Sequence, residues 1–460
     1  MPDPRAGNRI YHAPTVSPPT RTTTPGRGRS GQHRNQRRQG GQYSIGQSDR
    51  PTQPVLLVVI ALWYVFTRLG NRLETIMTGD ELAARLIAAV GEQRRESSVV
   101  VEAVYQPVGG AGGKVMPPTF PVVERGGSPY LLEERWVDGD RVGTVVIDQV
   151  PSQANRVEEA LLAARDTGRL SVPIFEMMVD GLRLTSLQFP HRYADAYLRD
   201  SEVDGVRFDD STAGKALRSV TTRDVRPLYA REPYSLLFGA WDSHRRGRWP
   251  RFARLYQSMM YGLDPIVGDR RSGRFDPLNL TGGVDNKDKA ETDWRFLPEG
   301  QKAKGGRLSE IGHGHIAPNP AHGGVTVREV RRSAWISFAG LERLRFGEVS
   351  EEAAGLARAA LAALALVGDR LAFGRPSLSL RSGCELTRIT ETVAFEVAGG
   401  EKEPVEVSVG DAVAAFVQLR AQAGAAGVPM ADDVVAVTPI RQLREAMVYA
   451  RTQAVPDSEE

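Results

Sequence analysis

The chain of 460 residues contains a single cysteine, Cys384. One thiol excludes an intrachain disulfide and any zinc site built from several cysteines, and it suits a reducing cytoplasm. Long apolar runs are also missing. The stretch Val55 to Phe66 (VLLVVIALWYVF) is unbroken, but a membrane-spanning helix needs about 20 apolar residues. It lies too far from the N-terminus and lacks the small-residue cleavage site of a usual signal peptide. A membrane-associated protein anchored at Val55–Phe66 is the reading it competes with. No internal repeat and no regular βαβ spacing are visible, which favours α+β over a doubly wound α/β sheet.

Excess charge of one sign is scarce over most of the chain. Residues 1–50 hold nine arginines against Asp3 and Asp49, a net of +7, in a chain whose total is +3. The remainder is therefore slightly acidic, at −4, and any polyanion site in it must be a local patch. Residues 1–53 are rich in Pro, Gly, Thr, Gln and Arg and almost free of aliphatic residues. Such a segment cannot bury enough surface to offset its chain entropy, so disorder is expected. After it, Met77 precedes TGDELAARLIAAV, where Thr78 and Glu81 form a capping box ahead of Leu82, Leu86 and Val90 on one helical face. A clean helix start behind a methionine is the expectation for a native start at Met77, with 1–76 a basic extension outside the domain.

The local patch lies between Lys215 and Arg274, with 13 basic and 5 acidic residues. Trp241, Trp249, Phe252 and Tyr256 are interleaved with its arginines, among them Arg245, Arg246, Arg248 and Arg251. Guanidinium groups bind phosphates bidentately, and aromatic and Arg planes stack on unpaired bases. The same pattern also describes a solvated charged face around a core strand at Ser235–Ala240.

Further along, the pattern predicts strands at 98–105, 143–147, 182–189, 325–327, 334–338, 377–380, 391–397 and 405–407. Helices are predicted at 155–164, from Ser350 to about Leu366, and at 411–423. Gly109–Gly113 (GGAGG) is followed by Met116-Pro117-Pro118, where no helix can start cleanly, so the loop is a flexible hairpin tip and not a nucleotide-binding loop. Residues 201–233 and 262–310 have little periodicity and are expected to be long insertions in a single domain over 77–460.

Three groups can carry chemistry. Ser152-Gln153-Ala154-Asn155-Arg156 sits between a strand and a helix. Ser152 or Asn155 can cap the helix there, leaving Gln153 and Arg156 to bind an anion. Pro190-His191-Arg192, followed by Asp195 and Arg199-Asp200, offers a His–Asp pair, but no recognisable Ser or Cys nucleophile motif lies nearby. A salt-bridge network, or phosphate contacts from His191 and Arg192, fits better. His313, His315 and His322, with Glu310, offer metal-ligating types at a spacing that matches no established motif. A metal-dependent nuclease using these histidines is the alternative function.

Five blocks taken together resemble one family: IDQVPSQANRVEEAL (147–161), LTSLQFPHRYADAYLRDS (184–201), SLLFGAWDSHRRGRWPRFARLYQS (235–258), LSEIGHGHIAPNPAHGGVTV (308–327) and SFAGLERLRF (337–346). They are similar to the backbone subunit of the type I-G (formerly I-U) CRISPR interference complex, Cascade. The family pattern near His315 favours Asn, which argues against a metal triad, and nothing in it resembles residues 1–76. The resemblance implies a distorted RRM-like (ferredoxin-like) palm with inserted finger and thumb regions, although no aromatic RNP sequence is present. It also implies a non-catalytic subunit without a cofactor. Copies would stack along the CRISPR guide RNA and hold it open for target DNA, alongside other Cascade subunits and a helicase–nuclease. On this reading Gln153, Asn155, Arg156, His191, Arg192, Trp241, His244, Arg245, Arg246, Arg248, Trp249 and Arg251 contact RNA.

Overall fold

A computed structural model describes residues 75–122, 127–242, 250–289, 293–298 and 305–452. All of them lie within one compact unit, Asn71–Glu460. The chain is mixed α+β, with about 34% helix and 34% strand in several sheets.

In chain order the elements that build the centre are α1 (Gly79–Val90), β1 (Glu96–Pro107), β2 (Leu132–Val137), β3 (Asp140–Asp148), α2 (Val150–Asp166), β4 (Ile174–Val179), α3 (Pro233–Phe238), β5 (Tyr256–Leu263), β6 (Ile266–Arg274), β7 (Ile316–Thr326), β8 (Val330–Ser337), α4 (Glu351–Phe373), β9 (Cys384–Val397), β10 (Lys402–Glu406), α5 (Val409–Ala425) and β11 (Val434–Pro439). The nine-stranded main sheet runs β10-β9-β1-β8-β5-β3-β2, with Thr75–Ile76 pairing β10 and Ser377–Arg381 pairing β9. Its neighbours along that run are all antiparallel. At its centre, β9-β1-β8-β5, the chain passes from β1 through α2 to β5, then through β8 and α4 to β9. β6 and β7 pair with each other in a separate sheet that interrupts the β5–β8 connection.

Alternation along β1 decides which face is covered. Val99, Val101, Ala103 and Tyr105 are buried, while the intervening residues are exposed or half-buried. α4 is the central helix of the covering layer and packs on α1, α2 and α5. Ser350 starts it: its hydroxyl accepts from the Ala353 N–H at 3.1 Å, and Glu351 and Glu352 fill the first turn. From Ala357 to Arg370 every residue is buried, so the helix has no solvent stripe. The capping box at Thr78 and Glu81 forms as expected and starts α1.

Several expectations need correction. Ser235–Ala240 is not a strand: Pro233 at the first helical position starts α3, and its six residues are buried on every side. An apolar run buried all round shows no period from which to tell helix from strand. The strand predicted at 182–189 stops at Thr185, whose N–H and hydroxyl both donate to Gln188 Oε1. α2 begins at Val150, not Asn155, with Gln149 at its cap and Pro151 in the first turn. The loop at 109–113 does not join a paired hairpin, since Lys114–Val115 pair with β7 instead of β1.

The α2–α4 crossing yields a test. A methyl placed on Gly368 would sit 2.5 Å from Val157 Cγ1. Gly to Ala gains up to about 1 kcal/mol of helix propensity, but overpacking costs about 1–3 kcal/mol. Gly368→Ala is expected to lower unfolding free energy by about 1 kcal/mol, and Val157→Ala combined with it to show positive coupling in a double-mutant cycle by chemical denaturation. Strict additivity of the two substitutions contradicts the crossing described.

Candidate nucleic-acid interface

The 152–156 block lies in the first turns of α2 around Asp148, which is almost fully buried at the end of β3. The Asp148 carboxylate accepts from Ser152 Oγ at 2.8 Å, Gln153 Nε2 at 2.6 Å, Arg156 Nε at 2.7 Å and Arg381 Nη2 at 2.9 Å. Gln153 is fully buried, and its Oε1 accepts from Ser258 Oγ at 2.7 Å. Its amide bridges β3 to β5. Arg156 is half-buried and also donates to the Leu380 carbonyl at 3.0 Å. Asn155 alone of the three faces solvent. The helix start therefore already holds an anion, the Asp148 carboxylate itself.

From Ser258 the polar contacts continue inward. Arg332 on β8 is buried; it donates through Nε to Ser258 Oγ at 3.0 Å and through Nη2 to Tyr256 Oη at 2.9 Å, and it forms an ion pair with Asp369 on α4. Asp369 also accepts from Tyr256 Oη at 2.8 Å and from Arg370 at 2.5 Å, and Arg370 pairs with Glu391 on β9 at 2.7 Å. The Arg332 guanidinium lies 3.8 Å from the Phe373 ring centroid. Burial would raise the Asp369 pKa, but the Arg332 and Arg370 charges outweigh it and hold the carboxyl at about 2. Of these inward residues only Tyr256 stood out in the sequence, as an aromatic among the arginines, and it is buried on Asp369 and Arg332 and not open to a base.

The second group converges differently. His191, Arg192, Trp241 and Arg251 line one cleft of about 680 Å³, together with Phe238, Phe252 and Arg254. Arg251 stacks on Trp241, with its guanidinium carbon 4.0 Å from the ring centroid, and Trp241 is 51% exposed. The cleft flanks the arginine-rich segment: Ala240 and Phe252 exchange backbone hydrogen bonds at 3.1 and 3.0 Å on either side of it. His244, Arg245, Arg246, Arg248 and Trp249 lie outside the described residues.

Arg192 is buried and adopts a left-handed backbone conformation, φ 52°, which is uncommon for a side chain of its size and clusters at functional sites. It pairs with buried Glu158 at 2.5 and 2.8 Å and donates to the Gly239 carbonyl at 3.1 Å. Asp195 does not orient the His191 ring; its carboxylate accepts the His191 and Tyr197 backbone N–H groups, both at 2.8 Å, and caps the next short helix. Nor does it hold an arginine in place, whereas Asp200 does pair with Arg199 at 2.5 Å.

Near Arg192 lies an unexpected group. Glu232 is wholly buried, and neither carboxylate oxygen has a hydrogen bond of normal geometry. Burial, reinforced by the Glu158 charge, pushes its pKa up to about 8, although the Ser186 hydroxyl and Arg192 act against the shift.

The histidines do not converge. His315 Nε2 lies 2.6 Å from Asn279 Oδ1 and its Nδ1 accepts the Asp276 N–H at 3.1 Å, whereas His322 sits edge-on to Tyr130. From His315 to His322 the chain follows β7, about 20 Å at strand rise. Among the described residues, no group of three or more His, Cys, Asp or Glu is placed to hold a metal. Among them also, no helix is long and apolar enough to cross a membrane; Val55–Phe66 lies outside them.

Two measurements follow. Asp369→Asn leaves the buried Arg332 and Arg370 short of a counter-charge and should cost about 3–5 kcal/mol by chemical denaturation; a loss under 1 kcal/mol contradicts the role given to the pair. Glu232 has a folded pKa raised above its ordinary 4.5. Its contribution is fully present below pH 4.5 and is lost as pH rises to about 8. Over that window wild-type stability should fall relative to Glu232→Gln by up to about 1.4 kcal/mol per pH unit. Parallel pH–stability curves for the two proteins would remove the buried ionisation from the account.

Comparison with known proteins adds identity to this geometry. No curated protein matches the chain. Residues 99–266 match the family model described as CRISPR-associated protein GSU0053 (Cas_GSU0053). That stretch runs from β1 to the start of β6 and takes in Asp148, the 152–156 block, the cleft and the arginine-rich segment. Over residues 99–266 the chain is similar to this CRISPR-associated family.

Proposed function

We propose that the protein is a non-catalytic, RNA-binding subunit of a CRISPR effector complex, the filament-forming backbone subunit of a type I-G Cascade. It acts in the cytoplasm, stacks with other copies of itself along the guide RNA, and leaves base edges free to pair with target DNA while other subunits and a helicase–nuclease act on that DNA. The observation that carries this reading is the cleft, where His191, Arg192, Trp241 and Arg251 meet at the ends of the arginine-rich segment. A stacked Trp–Arg pair beside further cations is suited to an unpaired base and its phosphates, with no demand on base identity.

The order of the central strands supports an RRM-like palm. β1-α2-β5-β8-α4-β9 repeats a β-α-β-β-α-β path, with the strands lying side by side as β9-β1-β8-β5. β2 and β3 extend the sheet between β1 and α2, and β6 and β7 project from the β5–β8 connection as a finger. The buried donors of Gln153 and Arg156 act one step back from RNA by fixing α2 on the sheet, whereas Asn155, His191, Trp241 and Arg251 are open to it.

Binding of guide-length RNA measured across a salt series tests the reading. Trp241→Ala should weaken binding by about 1–3 kcal/mol. Replacing Arg245, Arg246, Arg248 and Arg251 together by Ala should flatten the log–log salt slope by about 0.7 for each phosphate no longer neutralised. The effects should be equal for unrelated guide sequences. A folded variant with unchanged affinity and slope removes the cleft from the RNA path.

A further inference from the structure

The cleft and the buried carboxylates share one residue. Arg192 lines the cleft, and the same guanidinium pairs with Glu158 on α2. Glu232 is tied to the same turn: the Ser235 hydroxyl accepts the Tyr193 N–H at 3.3 Å and the Ser235 N–H donates to the Glu232 carbonyl at 3.2 Å, so the buried Glu232 carboxyl feels both the Glu158 and the Arg192 charge. One guanidinium thus pairs with one buried carboxyl and acts by its charge on a second. With Glu232 protonated the cluster is neutral. With Glu232 ionised it carries one uncompensated negative charge next to a cleft built from cations. The strained backbone of Arg192, φ 52°, shows that the fold keeps this side chain where it is against local preference.

We propose that the cleft is a proton-linked anion site, in which a phosphate held by Arg192 and the rim cations is coupled to protonation of Glu232. This rests on the RNA-binding reading and adds to it. A phosphate on Arg192 takes part of the guanidinium's attraction away from the two carboxyls and adds negative charge of its own. Both effects disfavour ionised Glu232, so binding draws a proton onto it. By reciprocity, raising the pH weakens binding.

The charged and titratable groups around Glu232 come from each element packed there. Glu158 stands on α2, Arg192 in the short turn Arg192–Ala194, and Tyr234 on α3, its hydroxyl donating to the Pro173 carbonyl at 2.9 Å. Arg254 acts on Glu158 from the cleft rim and Arg165 acts on Tyr234. His191, exposed on the rim, and Glu158, whose pKa burial raises against the pull of Arg192, are the other groups there that can take up a proton.

Calorimetric titration of the full chain with a uridine homopolymer of guide length, in two buffers of different ionisation enthalpy at pH 8, counts the protons directly. The expected result is uptake of up to about half a proton per site, with affinity falling about three- to tenfold between pH 7 and pH 9. Glu232→Gln should bind RNA without that uptake and with a flatter pH dependence. His191→Gln should keep the uptake. Binding by the wild type with no proton uptake at pH 8 overturns the coupling and leaves RNA binding standing. Uptake that vanishes in His191→Gln assigns the proton to the histidine and overturns it too. Absence of RNA binding at every pH defeats both readings together. The wild-type and His191→Gln titrations decide the matter even if Glu232→Gln does not fold.

Discussion

Arg332 and Asp369 form an ion pair without access to water, and the central layer depends on it. Two such charges cost several kcal/mol each to bury. The cost is offset because Tyr256, Ser258 and Arg370 supply hydrogen bonds and the Phe373 ring covers the guanidinium; among the described residues Arg332 Nη1 alone of its nitrogens lacks a partner. Those partners come from β5, β8 and α4. An apolar pair would bind these elements about as tightly, but it would leave them free to slide. A buried charge pair that depends on these partners favours one register of α4 on the sheet.

The same constraint reaches the cleft by one continuous path. Through Ser258 and Gln153 it extends to Asp148 and fixes the start of α2. α2 then carries Glu158, which anchors Arg192 and with it the turn that presents His191. Five elements far apart in sequence are thereby held in one arrangement, and the exposed residues of the cleft rim need few stabilising contacts of their own. That division suits a surface that must meet a polyanion: Trp241 and Arg251 stand open at the rim, while Arg192 behind them is held in place by Glu158.

How much of this was legible in the sequence depended on where each residue gets its contacts. Capped helices announced themselves, since Thr78–Glu81 and Ser350 act on neighbours three residues away. Strands with one wet face, such as β1, showed their alternation. α3 did not, because burial on every side erases the period. β6 was hidden for the opposite reason, being exposed or half-buried along its whole length. At the site, the clustering of arginines with Trp241 was visible, and so was the promise of His191 and Arg192. That Gln153 and Arg192 would be spent on internal partners was not, since Ser258 and Glu158 lie 105 and 34 residues away from them. Glu232 gave no local sign at all: only the packing around it separates a buried carboxyl from an ordinary surface one.

The paired backbone bonds between Ala240 and Phe252 close the arginine-rich segment like the neck of a bag. Closing a longer flexible segment costs only about 0.6 kcal/mol per doubling of its length. By the loop-closure term alone, a change in its length therefore costs little. A lineage could strengthen or loosen its grip on a polyanion by length variation at this one point, with no change to the sheet, the helices or the buried charges beneath.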